Sequence, residues 1–155
     1  MQTQKLLESI AVAVFFAAAA TAPAHAASLE EIIAEFCGEV AFAAVDAGEE
    51  LAEAKEDLED CPVEFDDCLS GFGVNDPVRC TSRYLDCSDD ANRDAVRACE
   101  TFNRRLEDAY EDALRRARRE GGTGTEKNFQ RWLLTQGEEC LQPAVLVGDL
   151  CALVP

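Results

Sequence analysis

Histidine is nearly missing from this chain: among 155 residues there is only His25. His25 lies in a segment expected to be removed on export, so the rest of the chain has no imidazole. That excludes Ser-His-Asp and Cys-His nucleophilic catalysis, histidine-ligated zinc and an imidazole pH switch. Positive charge is scarce too, with 14 Lys and Arg against 31 Asp and Glu and a formal charge of −17. Such a chain repels phosphate backbones, which argues against DNA or RNA as a partner. No Cys-x-x-Cys occurs, so a thioredoxin-like redox pair and a zinc ribbon both lack their spacing. No alternation of period two persists, so strands are not expected. The apolar run Ile10 to Ala20 has eleven residues, too few to span a bilayer.

What is present begins with an export signal, expected over residues 1–26. Lys5 supplies the positive start, the apolar run follows, and Thr21-Ala22-Pro23 breaks it. Ala24-His25-Ala26 gives the small-x-small pattern of a cleavage site, with Ala27 as the alternative end. Cleavage after Ala26 leaves 129 residues, still at −17 because Lys5 and Glu8 cancel. The expected location is periplasmic or extracellular, with no membrane span after cleavage. All eight cysteines remain, and an even count in an oxidising compartment suggests four disulfides.

Ser28 to about Asp60 has helical periodicity. Ser28 and Glu31 have capping-box spacing, and Leu29, Ile33, Phe36, Val40, Ala44, Leu51, Ala54 and Leu58 recur at helical intervals. Asp46-Ala47-Gly48 has turn chemistry and is a candidate break into two helices. Pro62 is expected to end the segment. Cys61 to Cys87 reads as short and irregular, with turn signals at Ser70-Gly71-Phe72-Gly73 and Asn75-Asp76-Pro77. One or two helical turns fit near Val63–Leu69 and Val78–Leu85.

Asp89 to Glu120 carries the strongest helical pattern, an apolar stripe from Ala95 and Cys99 through Phe102, Leu106 and Tyr110 to Ala117. Asp89 and Asp90 begin it and Arg115, Arg116, Arg118 and Arg119 end it, both placements favouring the helix dipole. Gly121-Gly122-Thr123-Gly124 stops it. A further helix, about Glu126 to Cys140, holds Phe129, Trp132 and Leu133, and the short glycine turn predicts an antiparallel hairpin. The mostly apolar tail Ala144–Pro155 reads as core packing. The expected fold class is therefore all-α, a small disulfide-stapled helical domain with an antiparallel helical hairpin.

The middle cysteines, Cys61, Cys68, Cys80, Cys87 and Cys99, are separated by 7, 12, 7 and 12 residues. Asp-Cys-x11-Cys occurs twice, at Asp67-Cys68…Cys80 and Asp86-Cys87…Cys99, which is either a degenerate duplication or coincidence. The favoured pairing is Cys68–Cys80, Cys87–Cys99, Cys140–Cys151 and Cys37–Cys61. The last bond needs the first helix to fold back near Gly48, because 24 helical residues hold the two about 36 Å apart. Pairing through the x6 gaps is the main competitor, and eight cysteines allow 105 connectivities.

The stretch from Asp86 to Cys151 resembles the lysozyme inhibitor LprI-like family of exported bacterial proteins. The matching features are the Asp86-Cys87 opening, Cys99 a dozen residues on, Leu106 and Tyr110 at i, i+4, Gln130-x-Trp132, Cys140 and a closing Cys151. The sequence departs from the family at Leu106-Glu107 and at Gln136-Gly137-Glu138-Glu139 before Cys140. On this reading 86–155 is an LprI-like hairpin domain and 27–85 an acidic, helical and cysteine-rich region outside the resemblance. The resemblance implies a secreted or periplasmic binding protein that inhibits a lysozyme by stoichiometric blocking of its cleft. The alternative is a non-enzymatic envelope interaction module with another protein partner. A basic lysozyme matches the charge, since a −17 chain would steer it electrostatically.

The remaining motifs have structural explanations. Gly121 to Lys127 fails the phosphate-loop pattern and follows no strand, so it reads as a helix–helix turn. Arg115-Arg116-Ala117-Arg118-Arg119 reads as a solvated helix end neutralised by acids such as Glu111 and Asp112. Leu106, Tyr110, Gln130 and Trp132 are expected in the core, with Gln130 hydrogen-bonding across the hairpin. The acidic runs Glu56–Asp60 and Glu64–Asp67 lack the EF-hand pattern and read as a solvated face. No catalytic residue, cofactor or metal ligand is expected. The inhibitory surface has no sequence signature; Gly71-Phe72-Gly73 and Gly121–Thr125 are candidate contact loops.

Overall fold

The computed structural model describes residues 26–71 and 76–154. The expected signal segment lies outside the described residues apart from Ala26, as do Phe72, Gly73 and Asn75 of the expected turns. The described residues form four α-helices, so the all-α expectation holds.

Helix α1 runs Leu29–Ser70. The expected capping box starts it: the Glu31 amide donates to Ser28 Oγ at 3.2 Å, and the Ser28 amide donates to the Glu31 carboxylate at 2.8 Å. Its 42 residues extend about 63 Å. Neither expected interruption occurs. Gly48 costs about 1 kcal/mol against alanine in a helix, but buried Ala44, Ala47 and Ala54 carry the apolar stripe past it. Pro62 lies inside the helix, where it removes one backbone hydrogen bond. The Cys61–Cys87 disulfide beside it pins the helix onto its neighbour.

Helix α2 runs Pro77–Arg119, starting twelve residues before the Asp89 expected from sequence. Asp76 is its N-cap, its carboxylate accepting from the Val78 amide at 3.0 Å, and Pro77 occupies the first turn. Asp-Pro is as good a helix start as a turn signal. The segment Cys61–Cys87, expected to be irregular, is thus mostly helix from both sides. The expected division between residues 85 and 86 falls within this continuous α2.

The long antiparallel hairpin is α1 against α2. It is not the pair joined by the glycine turn. Cys61–Cys87 and Cys68–Cys80 step seven residues along the two helices in opposite directions, with Cα separations of 5.9 and 5.8 Å. Seven residues are nearly two turns, so each Cys-x6-Cys presents both sulfurs to one side of its helix. Phe65 and Tyr84 meet between the two rungs, with ring centroids 5.5 Å apart.

Cys68–Cys80 forms as expected, and the other three favoured pairings do not. Cys87 and Cys99 share α2, about 18 Å apart, and Cys140 and Cys151 share one helix, about 16 Å apart. Both separations exceed disulfide reach. Cys37 and Cys61 are held apart because α1 does not fold back. The observed bonds are Cys37–Cys140, Cys61–Cys87, Cys68–Cys80 and Cys99–Cys151. Four disulfides fit an oxidising, extracytoplasmic compartment.

After the turn, α3 spans Thr125–Gln136 and α4 spans Glu138–Cys151. The sequence suggested one helix to Cys140 and a packed tail. Gly137 instead separates two helices, and Pro143 is accommodated inside the second. A side chain at Gly137 would meet the Leu133 carbonyl oxygen at 2.6 Å, which accounts for glycine there. Phe129 of α3 is fully buried, packing edge-on against Phe36 at 5.4 Å and near Trp132 at 6.0 Å and Tyr110 at 6.4 Å. Ile32, Val40, Phe102, Ala117, Ala144 and Val147 complete this core. Beyond about Leu58 the hairpin continues as a two-helix arm, about 18 Å to the end of α1.

Candidate functional site

Charge is divided unequally between the hairpin helices. Helix α1 holds fifteen carboxylates and one cation, Lys55, a formal −14 of the chain's −17. Helix α2 holds ten arginines against nine carboxylates. Its formal charge is thus close to balanced, and three of its arginines pair within it, one turn from their partners: Arg93–Asp90 at 2.8 Å, Arg97–Asp94 at 3.0 Å and Arg115–Asp112 at 2.7 Å. Arg116 also pairs with Glu120 at 3.3 Å.

The carboxylates of α1 are not scattered. Glu35, Glu39, Asp46, Glu49, Glu53, Asp57, Asp60, Glu64 and Asp67 fall at spacings of three, four or seven residues, the period of one helix face. This stripe is about 48 Å long. Two of its members cross to α2, Glu35 to Arg116 and Asp46 to Arg105. The other seven make no ion pair among the described residues. A groove of about 370 Å³ lies at its basal end between α1 and α2, lined in part by Glu35, Glu39, Phe42, Arg105, Asp108 and Asp112. Phe42 stands in it 65% exposed, an aromatic ring among carboxylates. A second cleft, about 340 Å³, lies between the two disulfide rungs of the arm, beside Phe65, Tyr84, Glu64 and Arg83.

The arrangement suits holding a cationic surface. Unpaired carboxylates on a stiff helix pay little reorganisation on meeting a partner, because the disulfides and the antiparallel neighbour already fix their spacing. Among the described residues no three His, Cys, Asp or Glu side chains are grouped to hold a metal ion.

Leu106, Tyr110 and Trp132 pack half-buried against the core, while Gln130 is half-buried and makes no side-chain hydrogen bond to the described residues. Cys37, Cys61, Cys68, Cys80, Cys87, Cys99, Cys140 and Cys151 are all cross-linked, so none is a free thiol. Three of the four arginines of the cluster are paired, Arg115 with Asp112, Arg116 with Glu35 and Glu120, and Arg118 with Glu126 at 2.7 Å, while Arg119 and the expected partner Glu111 make no ion pair among the described residues. The Arg118 hydrogen bond holds the Glu126 carboxyl below its ordinary range, and Glu126 raises Arg118 in return. The Gly121–Thr125 turn is folded inward at its end, with Thr125 buried and its hydroxyl donating to the Gly121 carbonyl. Gly122 and Gly124 adopt φ of +73° and +89°, which favours glycine at both. Gly71 closes α1 at the arm tip.

The acidic runs Glu56–Asp60 and Glu64–Asp67 taken singly do not reveal the stripe; its signal in the sequence is the spacing of three, four or seven residues from Glu35 to Asp67. Among the described residues no helix is long and apolar enough to cross a membrane. No family model, no curated protein and no solved structure matches the chain.

Proposed function

We propose that this chain is a non-enzymatic, periplasmic or extracellular binding protein whose acidic α1 face captures a basic partner, with a basic lysozyme as the first candidate. The observation that carries the reading is the charge segregation: nearly all the excess negative charge lies on α1, and most of its stripe makes no ion pair among the described residues. Such a face raises the association rate of a cationic protein and orients its approach, and salt weakens both effects. Capture by a rigid face blocks its target stoichiometrically, so no turnover and no catalytic residue is required. Lysozyme as the target comes from the resemblance of residues 86–151 to the LprI-like inhibitors. The charge supports the wider class, a basic protein.

The test is a cell-wall lysis assay with the oxidised protein titrated against basic lysozymes at low and moderate salt. The expected result is saturable inhibition near one-to-one, weaker at higher salt and abolished by reduction and alkylation. A combined Glu49→Gln, Glu53→Gln, Asp57→Asn and Asp60→Asn variant should slow association by about tenfold or more at low salt. Full lysozyme activity in the presence of excess folded protein would overturn lysozyme as the target. The other reading, an envelope module with a different protein partner, is favoured by an apolar groove lined by Leu51 and Leu58 of α1, Ala91 and Ala95 of α2, and Leu150 and Leu153.

A further inference from the structure

The hairpin already accepts one helix between its two long members. Helix α4 contacts both α1 and α2, with Ala144 and Val147 buried. Its beginning is tied to Cys37 of α1 and its end to Cys99 of α2. Helix α4 stops at Cys151, but the channel it occupies does not. It continues toward the arm as a groove of about 480 Å³ lined by Leu51, Lys55 and Leu58 of α1, Ala91 and Ala95 of α2, and Leu153 at the end nearest α4. Cys37, Ala44, Leu51 and Leu58 recur every seven residues, so the side of α1 bonded to α4 is the side that lines the groove. On α2, Ala95 lies one turn from Cys99. Leu150 and Leu153 are 50% and 81% exposed, an apolar edge at the mouth of an apolar groove.

We infer that this groove receives a helical segment of a partner protein, apolar along one face and basic along its flanks. The intramolecular α4 interface supplies the template: the same two helices, on the same side, with small and branched apolar residues. The lining from Gly48 to Leu58 extends about 15 Å, nearly three helical turns, enough for anchors at i, i+4 and i+7. Charge selects the flanks. The α1 wall belongs to a helix of formal charge −14, Asp149 precedes Leu150, and the one cation in the lining, Lys55, is paired with Glu59 at 3.6 Å. A second copy of this chain would bring −17 against −17, which opposes self-association. The inference goes beyond the lysozyme reading and stands whichever basic protein the stripe meets.

The test uses the oxidised chain and a synthetic Leu/Lys peptide about four turns long with leucines on one helical face, beside a scrambled isomer of the same composition. Titration at moderate salt should give saturable one-to-one binding, with the isomer weaker by at least about tenfold. Leu58→Asp and Leu153→Asp should each weaken binding by about tenfold, while Val78→Asp near the arm tip leaves it unchanged. Adding a carboxylate strengthens any purely electrostatic attachment of a lysine peptide, so the direction of the change separates an apolar groove from general charge attraction. Equal binding of the two peptides, or unchanged or tighter binding by the groove variants, would overturn the inference. So would a wild-type dimer in sedimentation that Leu153→Asp dissociates, since a second copy would then be the occupant.

Discussion

Gly48 lies in the middle of a 42-residue helix, in a tripeptide whose local chemistry favours a turn. Nothing lies within 4 Å of where a methyl group would sit, so alanine fits without displacement. Gly48→Ala should therefore stabilise the protein by up to about 1 kcal/mol, read by chemical denaturation. A loss of stability would mean that glycine at this point serves something other than the helix. Glu126 offers a test of sign. Its hydrogen bond from Arg118 lowers the carboxyl pKa, so the pair stabilises the fold above the ordinary glutamate range. That contribution disappears as pH falls through the lowered value. Glu126→Gln should melt below the wild type at neutral pH, and the two should converge in strong acid. Convergence on the alkaline side instead would contradict the pairing.

The sequence was most legible where helix ends have their own chemistry. The Ser28–Glu31 capping box and the glycine turn after α2 could be read directly, and so could the aromatic and leucine positions that face the core. It was least legible where one local pattern serves two structures. Asp76-Pro77 initiates a turn or caps a helix equally well, and Pro62 ends most helices but not one held by a cross-link on the adjacent residue. What decides between these is contact between residues far apart in sequence, which periodicity does not encode. The paired Cys-x6-Cys segments contained the needed clue, since seven residues place two cysteines on one side of a helix. Loop closure by Cys68–Cys80 is worth about 3 kcal/mol in a chain-entropy account. Replacing both with serine should release the arm without unfolding the bundle. Hydrogen exchange should accelerate in 62–70 and 77–86 while amides around Phe36, Phe102 and Phe129 keep their protection. Uniform loss of protection would show that arm and bundle unfold as one unit.

Across the whole molecule, two tasks are separated in space. The base is built from packed aromatic and aliphatic side chains and closed by α3 and α4. The long hairpin carries its charge outward along α1. Most apolar positions of the base were visible in the sequence, but the tail expected as core packing buries only Ala144 and Val147 and leaves Val145, Leu146, Leu150 and Leu153 exposed. The carboxylate stripe emerges only once α1 is one unbroken helix, and the groove beyond α4 depends on how α1 and α2 stand side by side. The bonds that secure this arrangement join cysteines by spatial neighbourhood and not by order of synthesis. Counted along the chain, only Cys68 and Cys80 are consecutive partners. A chain oxidised as it emerges from a membrane pore would first couple Cys37 to Cys61, and that bond, like Cys87–Cys99 and Cys140–Cys151, forbids the native helix that contains it. Biogenesis therefore depends on shuffling: the reduced chain should recover its native bonds in a glutathione redox buffer, and rapid oxidation without free thiol should trap it with adjacent cysteines joined. An exporting cell that can oxidise thiols but not rearrange them would accumulate little of this protein.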